Sequence, residues 1–121
     1  SATVYEDSHF TVIVDVNPAT KGHCLIIPKE HFDNIYDLDG ETAGKLFALA
    51  TCIARSMRDA LKCDGLNLIQ NNGEVAGQTV NHFHLHLIPR YEGDGLNLNW
   101  PQQEISGEQL EEIRQSIKKS I

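Results

Sequence analysis

The sequence has few cysteines, no long apolar run and no excess of positive charge. Its three cysteines include no C-x-x-C pair, which favours reduced, mostly buried thiols in a cytoplasmic protein over a disulfide framework. No stretch approaches the roughly 20 apolar residues that a membrane-spanning helix needs. The N-terminus has neither the basic start nor the apolar run of a signal peptide. We therefore expect a cytoplasmic chain with no membrane partner.

The charges that are present are mainly acidic. Asp and Glu total 17 against 10 Lys and Arg, and the formal net charge is −7. Because Lys and Arg drive binding to a nucleic-acid backbone, this balance argues against a nucleic-acid partner. It is compatible with a small phosphorylated substrate, since backbone N–H groups and a few histidines can hold one phosphate.

Length and residue pattern predict one small domain. The 121 residues, 40% of them hydrophobic, suit a single packed unit over residues 1–121. Alternating and β-branched segments bounded by Gly, Pro and Asn predict four strands, at residues 9–16, 22–28, 65–70 and 82–88. The turn between the first two strands predicts that they pair antiparallel.

Two other segments have the spacing of amphipathic helices. Apolar residues recur at three- and four-residue intervals over residues 41–62, and Asp39 is the predicted N-cap. A second helix begins after Ser106, with Gln109 placed to complete a capping box. We expect its apolar stripe to face inward; the stripe is Leu110, Ile113 and Ile117. These elements predict an α+β fold with a mainly antiparallel sheet, one long helix and a C-terminal helix.

Three alternating histidines, His82, His84 and His86, carry the strongest chemical signal. Side chains on a strand alternate between its faces, so we expect the three imidazoles on one face and the apolar residues between them on the other. Such a row suits two kinds of site. It can supply metal ligands, as His-x-His strands do for zinc. Alternatively, one neutral imidazole can attack phosphorus while its neighbours donate protons or hydrogen bonds.

The loop before the histidines favours the second kind of site. It contains Gly73, Ala76 and Gly77, small residues that let backbone N–H groups approach an anion closely. A metal site would not need such a loop. The combination predicts covalent phosphoryl or nucleotidyl transfer to a histidine. The alternatives are a metal-dependent hydrolase that uses the histidine row as ligands and a nucleotide-binding module with little catalytic flux.

The segment at residues 78–88 resembles the His-φ-His-φ-His-φ-φ signature of the histidine triad (HIT) family, in which φ is an apolar residue. The likeness extends upstream to residues 21–31 and 71–77, and it covers roughly residues 4–101. It is similar to the bacterial branch of the family near the purine-nucleoside phosphoramidases.

The resemblance implies a hydrolase that needs no cofactor and cleaves a nucleoside monophosphate, with AMP as the expected one, from an amine, phosphate or other leaving group. His84 would be the nucleophile that forms a covalent nucleotidyl-histidine intermediate. The backbone carbonyl of His82 would orient the His84 ring, and His86 would contact the phosphate. His23 would assist departure of the leaving group.

The same resemblance implies how substrate and partner are bound. Asp15 would accept hydrogen bonds from the ribose hydroxyls. The loop positions implied for phosphate binding are Asn71, Gly77, Gln78 and Thr79. Family members are homodimers that join their sheets across a twofold axis, and Trp100 is similar to a position that reaches the partner's site. The expected partners are therefore a purine nucleotide and a second copy of the chain.

One feature of related chains is not found in this sequence. They usually carry an N-terminal segment with a C-x-x-C pair, which binds structural zinc together with residues matching His31 and His82. This sequence begins at Ser1, just after the place where that segment would end. We therefore expect no bound metal, although His31 and His82 could retain an ion, and we expect base recognition to be affected.

Overall fold

One five-stranded antiparallel sheet forms the centre of the computed structural model, which describes residues 2–121. Its strands are β1 (Thr3–Glu6), β2 (Phe10–Val14), β3 (Cys24–Pro28), β4 (Gly65–Ile69) and β5 (Leu85–Arg90). The helices are α1 (Gly40–Leu61), between β3 and β4, and α2 (Gly107–Ser120), after β5. A short 3-10 helix, Glu74–Ala76, lies between β4 and β5. The predicted α+β class and antiparallel sheet are confirmed.

Strand β5 lies in the interior of the sheet, whose order is β1-β2-β3-β5-β4. His86 is paired with Leu25 of β3 on one side and with Ile69 of β4 on the other. Strands β1 and β4 are the two edges. The middle of β5 is therefore paired with a strand on each side.

Helix α1 covers one face of the sheet and closes the core. The buried apolar residues that it shares with the strands include Phe10, Val12, Ile26, Leu46, Ala50, Met57, Leu85 and Leu87. The helix begins where predicted, because the Asp39 side chain accepts the Thr42 N–H. It ends at Leu61, and the C-cap residue Lys62 has a left-handed φ of 55°.

The C-terminal helix departs from the prediction. Its capping box between Ser106 and Gln109 is present as expected. However, Leu110, Ile113 and Ile117 are 58%, 48% and 60% exposed, and no residue of α2 is buried. The stripe does not face the core of its own domain, so the predicted inward orientation is wrong within one chain.

Two further differences concern the strands. The sequence did not indicate β1, whose four residues are all exposed at the edge of the sheet. Strand β5 begins at Leu85, three positions later than predicted.

No helix within residues 2–121 is long and apolar enough to cross a membrane.

Candidate active site

Three neighbouring strands bring Asp15, His23 and His86 together. The backbone N–H of Asp15, just after β2, donates to the His23 carbonyl at 2.8 Å and extends the β2–β3 ladder. Because Cys24 is paired with Leu87, the alternation of side chains puts His23 and His86 on the face opposite α1. His23 Nε2 lies 2.9 Å from His86 Nδ1 and 3.9 Å from Asp15 Oδ2.

His84 immediately precedes β5, and the neighbouring backbone fixes its ring. Its Nδ1 lies 2.8 Å from the backbone carbonyl of His82. A carbonyl oxygen can only accept, so Nδ1 carries the proton and Nε2 of the neutral ring has a free lone pair. The His84 and His86 ring centroids are 4.9 Å apart. The site therefore contains one imidazole nitrogen that is oriented, unprotonated and not engaged by another described residue.

His86 and His23 form a neutral pair beside that nitrogen. Burial, followed by the charges of His84 and His23, lowers the pKa of His86 to about 4, against the opposing effect of Asp15. Burial also lowers the pKa of His23, and Asp15 again opposes the shift. At neutral pH each ring therefore holds one proton, and a single N–H joins the two rings.

His82 does not share a strand face with the other two, contrary to the sequence prediction. Residues 82–84 precede β5, and the Phe83 N–H donates to the Phe32 carbonyl rather than to a neighbouring strand. The His82 ring binds elsewhere, with Nε2 2.9 Å from the Pro28 carbonyl and Nδ1 2.8 Å from His31 Nδ1. His82 thus contributes its backbone carbonyl to His84 while its ring holds a different part of the chain.

The hydrogen bonds of these rings do not suit a metal. Among residues 2–121, the one group of three potential ligands within 4.8 Å of one another is Asp15, His23 and His86. His23 Nδ1 accepts the Ala19 N–H at 3.0 Å. The proton of neutral His23 is therefore on Nε2, the atom that would have to bind the ion.

The His31–His82 pair also does not fit the zinc site of related chains. Its two Nδ1 atoms are 2.8 Å apart, whereas ligands on tetrahedral zinc are separated by about 3.4 Å, given Zn–N bonds of about 2.05 Å. No cysteine joins these histidines in a ligand group in the part of the chain that the structure describes. The expectation of a metal-free protein stays a prediction.

The loop before the histidines is built on two glycines in unusual conformations. Gly73 and Gly77 have φ of 90° and 97°, values that residues with a Cβ rarely adopt. A Cβ on Gly77 would also meet the Asn71 side-chain amide at 3.5 Å. The loop closes on itself through a 3.0 Å bond from the Gln78 N–H to the Gly73 carbonyl. Glycine is therefore needed for the tight path of this segment.

The side chain of Gln78 holds the loop in place. Its Oε1 accepts the Gly73 N–H at 2.8 Å, while its Nε2 donates to the carbonyls of Asp33 and Val80 at 2.6 and 3.1 Å. Both amide protons are engaged, so this side chain has no donor left for a phosphate. The expectation that Gln78 is a phosphate-binding position stays a prediction.

The remaining substrate-binding candidates differ in their surroundings. The half-buried side chain of Asn71 and the exposed side chain of Thr79 make no hydrogen bond to any described residue, so both remain free to bind a ligand. Trp100 is 80% exposed and lies in a cleft of about 640 Å³ along β4, beside Leu68. The structure does not bring Trp100 to the histidines of its own chain.

Sequence reasoning missed two partners of the site histidines. Asp33 lies 2.7 Å from His31 Nε2, and the His-x-Asp spacing was an available signal. The hydrogen bond from the Ala19 N–H to His23 could not be predicted from the sequence, because any residue other than proline supplies a main-chain N–H.

Comparisons with known proteins identify the family of this chain. The HIT domain matches residues 1–93. Protein hit of Bacillus subtilis is 44% identical over 124 residues, spanning 100% of this chain and 86% of that protein. The adenosine 5′-monophosphoramidase HNT1 of Saccharomyces cerevisiae is 36% identical over 118 residues, spanning 97% and 72%. The adenylylsulfatase HINT3 of Arabidopsis thaliana is 38% identical over 93 residues, spanning 77% and 47%.

Solved structures lead to the same family. A HIT family protein from Bacillus subtilis superposes with a TM-score of 0.93 at 44% identity, covering 100% of this chain and 88% of the other. The matched domain, the relatives and the shared fold establish that this chain belongs to the histidine triad (HIT) family.

Proposed function

We propose that this chain hydrolyses the bond between the phosphate of a purine nucleoside monophosphate and its leaving group, through a covalent intermediate on His84. One observation carries the proposal. The bond from His84 Nδ1 to the His82 carbonyl leaves Nε2 as an oriented lone pair, in a segment that directly follows the glycine loop at residues 71–79.

The names of the relatives support the class of reaction. Two related proteins are an adenosine 5′-monophosphoramidase and an adenylylsulfatase, and both are hydrolases acting on an adenylyl group. This chain is a hydrolase of the same family. We assign AMP linked to an amine as its preferred substrate class, with AMP linked through oxygen as the second.

The proposed reaction has two balanced steps. His84 Nε2 gives its lone pair to phosphorus, and the bond to the leaving group breaks with its electron pair. The leaving amine takes a proton that the His23–His86 pair relays from solvent. Water then attacks the phosphorus and gives a proton back to solvent through the same pair as the P–Nε2 bond breaks, which releases AMP and regenerates neutral His84.

The surrounding residues have separate parts in this proposal. His86 donates its remaining N–H to the phosphate and stabilises the charge that develops there. Asn71, Thr79 and the backbone at Gly77 bind the other phosphate oxygens. Asp15 accepts the ribose hydroxyls through its carboxylate, one oxygen of which is already held by the Asn17 N–H at 2.9 Å.

The test is to substitute the nucleophile and measure binding and turnover separately. His84→Ala is expected to lower kcat on adenosine phosphoramidate by roughly 10⁴-fold or more while AMP still binds. His9→Ala, at an exposed histidine outside the site, is the matched control. Intact-protein mass spectrometry after rapid quench should detect an adenylyl adduct on wild type and none on His84→Ala.

Three results would contradict the proposal. Turnover at the wild-type rate in His84→Ala would exclude His84 as nucleophile. Loss of wild-type activity in EDTA, recovered on adding zinc, would favour the metal-dependent alternative. A bound nucleotide with neither adduct nor turnover would favour a binding module.

We also infer that the functional unit is a homodimer. The chain exposes 8,624 Å², whereas a compact monomer of 13.5 kDa exposes about 6,500 Å². The difference between these two exposed areas is close to the area that each protomer contributes to a large homodimer interface, roughly 1,000–2,500 Å². The exposed stripe of α2 and the open edge of β4 supply apolar surface and unpaired strand backbone for a second copy.

A further inference from the structure

The turn between β2 and β3, residues 15–23, lies against the candidate active site and makes an unusual hydrogen bond. The backbone N–H of Ala19 donates to His23 Nδ1 at 3.0 Å. The same turn holds Asp15 through the Asn17 N–H and closes through a 3.1 Å bond from the His23 N–H to the Thr20 carbonyl. A main-chain donor is therefore directed at the ring nitrogen that is remote from His86.

This donor determines where the proton of His23 resides. Because Nδ1 accepts, a neutral His23 ring carries its proton on Nε2. That Nε2–H donates to His86 Nδ1, 2.9 Å away. His86 is then an acceptor at Nδ1, so its own proton is on Nε2. One peptide N–H thus fixes the protonated nitrogen in two consecutive rings.

The opposite arrangement would impair phosphate binding. With the proton on His23 Nδ1, two donors would face each other across 3.0 Å, and His86 would have to donate from Nδ1. His86 Nε2 would then be a bare lone pair directed toward an anion. The fixed arrangement instead gives the site one ring that donates from Nε2, His86, and one that attacks from Nε2, His84.

Thr20 holds this turn in place. Its side chain is buried, and its hydroxyl donates to the Pro89 carbonyl near the end of β5 at 2.5 Å. The contact joins the turn to the strand that carries His86, across 69 positions of sequence. Displacement of Thr20 would therefore move the Ala19 N–H relative to the His23 ring.

We propose that Ala19 and Thr20 are positioning residues whose function is to set the tautomers of His23 and His86, so that His86 presents an N–H to the substrate phosphate. The catalytic part of this inference rests on the proposed nucleotidyl-hydrolase function. The tautomers themselves do not, because they are properties of the free protein.

The experiment reads the tautomers directly and without substrate. Long-range ¹H–¹⁵N correlation spectra of ¹⁵N-histidine-labelled protein at neutral pH distinguish a protonated from an unprotonated ring nitrogen, and single His→Ala variants assign the six rings. We expect His23 and His86 protonated on Nε2, and His84 on Nδ1. Detection of His23 protonated on Nδ1 in the wild type would overturn the proposal.

Ala19→Pro removes the donor, since proline has no N–H, and Ala19→Gly retains it as the matched control. The proline variant should show a mixture of His23 tautomers and roughly tenfold or greater loss of kcat, with KM changed by less than about threefold. The glycine variant should resemble wild type. A folded proline variant with an unchanged His23 tautomer would refute the role of Ala19.

Thr20 provides a second test if the proline variant does not fold. Thr20→Val removes the hydroxyl at nearly constant volume, and Thr20→Ser retains it. Valine should shift the His23 tautomer toward a mixture, and serine should rescue it. If the valine spectrum equals that of wild type, Thr20 has no positioning role. Expected tautomers in a protein without hydrolase activity would refute the proposed function and leave the tautomer assignment intact.

Discussion

At the scale of single residues, the histidines differ in which nitrogen holds the proton and which partner fixes it. His84 is protonated on Nδ1 by its bond to a carbonyl, whereas His86 is linked through His23 to a backbone N–H. Identical side chains thus present opposite groups at Nε2, a lone pair on His84 and an N–H on His86. The cause in each case is a main-chain group rather than another side chain.

The depressed pKa of His86 predicts a pH dependence of stability. That pKa falls from 6.5 in the unfolded chain to about 4 in the fold. Between these values the unfolded chain binds a proton that the folded chain does not. The free energy of unfolding should therefore decrease as the pH is lowered from 6.5 to 4, by at most about 1.4 kcal/mol per pH unit. Solvent screening of the half-buried ring reduces that slope.

Urea denaturation at several pH values measures this effect. His86→Gln should flatten the decrease between pH 6.5 and 4, whereas His9→Gln, at an exposed position, should retain the wild-type slope. Equal slopes in wild type and His86→Gln would contradict the assignment.

Gln78 gives a second prediction at this scale, because its amide binds three backbone groups of two segments. Gln78→Leu should make the amides of residues 73–80 exchange faster with solvent and lower kcat/KM by roughly tenfold or more. Gln103→Leu, at an exposed position without a described hydrogen bond, is the control. Unchanged exchange in Gln78→Leu would show that the loop is held by other contacts.

At the scale of elements, the glycine loop at residues 71–79 depends on backbone conformation. Gly77→Ala places a Cβ at φ 97° beside Asn71, and should destabilise the protein by about 1–2 kcal/mol and weaken nucleotide binding. Gly44→Ala is the contrasting control, since nothing lies within 4 Å of its Cβ position in α1. There the substitution should stabilise by about 1 kcal/mol. Chemical denaturation and AMP titration measure both effects.

The elements also indicate how far sequence reasoning extends. Local signals were sufficient for α1, the caps at Asp39 and Ser106 and the antiparallel pairing, because caps, turns and periodicity involve neighbouring residues. Local signals failed where contacts between residues far apart in the sequence determine the structure. The bond from Phe83 to Phe32 delays the start of β5, and no local pattern encodes it.

The residues of the candidate site likewise fall into two groups, those that local sequence patterns indicate and those whose roles depend on distant contacts. The triad spacing identified His84 and His86, whereas the roles of Gln78 and Ala19 depend on backbone groups brought close by the fold. Edge strand β1 was missed for a related reason, since its exposed residues lack the alternation of a half-buried strand.

At the scale of the whole molecule, the unburied stripe of α2 predicts how the proposed dimer is held together. Replacing Leu110, Ile113 and Ile117 together by serine should weaken dimerisation, because these side chains are about half exposed in the single chain. Substitutions on the opposite side of the helix, Glu112→Gln with Gln115→Ser, are the control. Sedimentation velocity over a range of concentrations measures the change. A triple variant that dimerises as tightly as wild type would place the interface elsewhere.

The bond from the Ala19 N–H to His23 has a consequence for how this site tolerates genetic change. Nineteen of the twenty standard amino acids supply the same peptide donor, so nearly every missense change at that codon preserves it. An alanine scan passes over the position because it is already alanine. The positioning role proposed for this N–H would therefore escape most mutational surveys, and proline is the substitution that tests it.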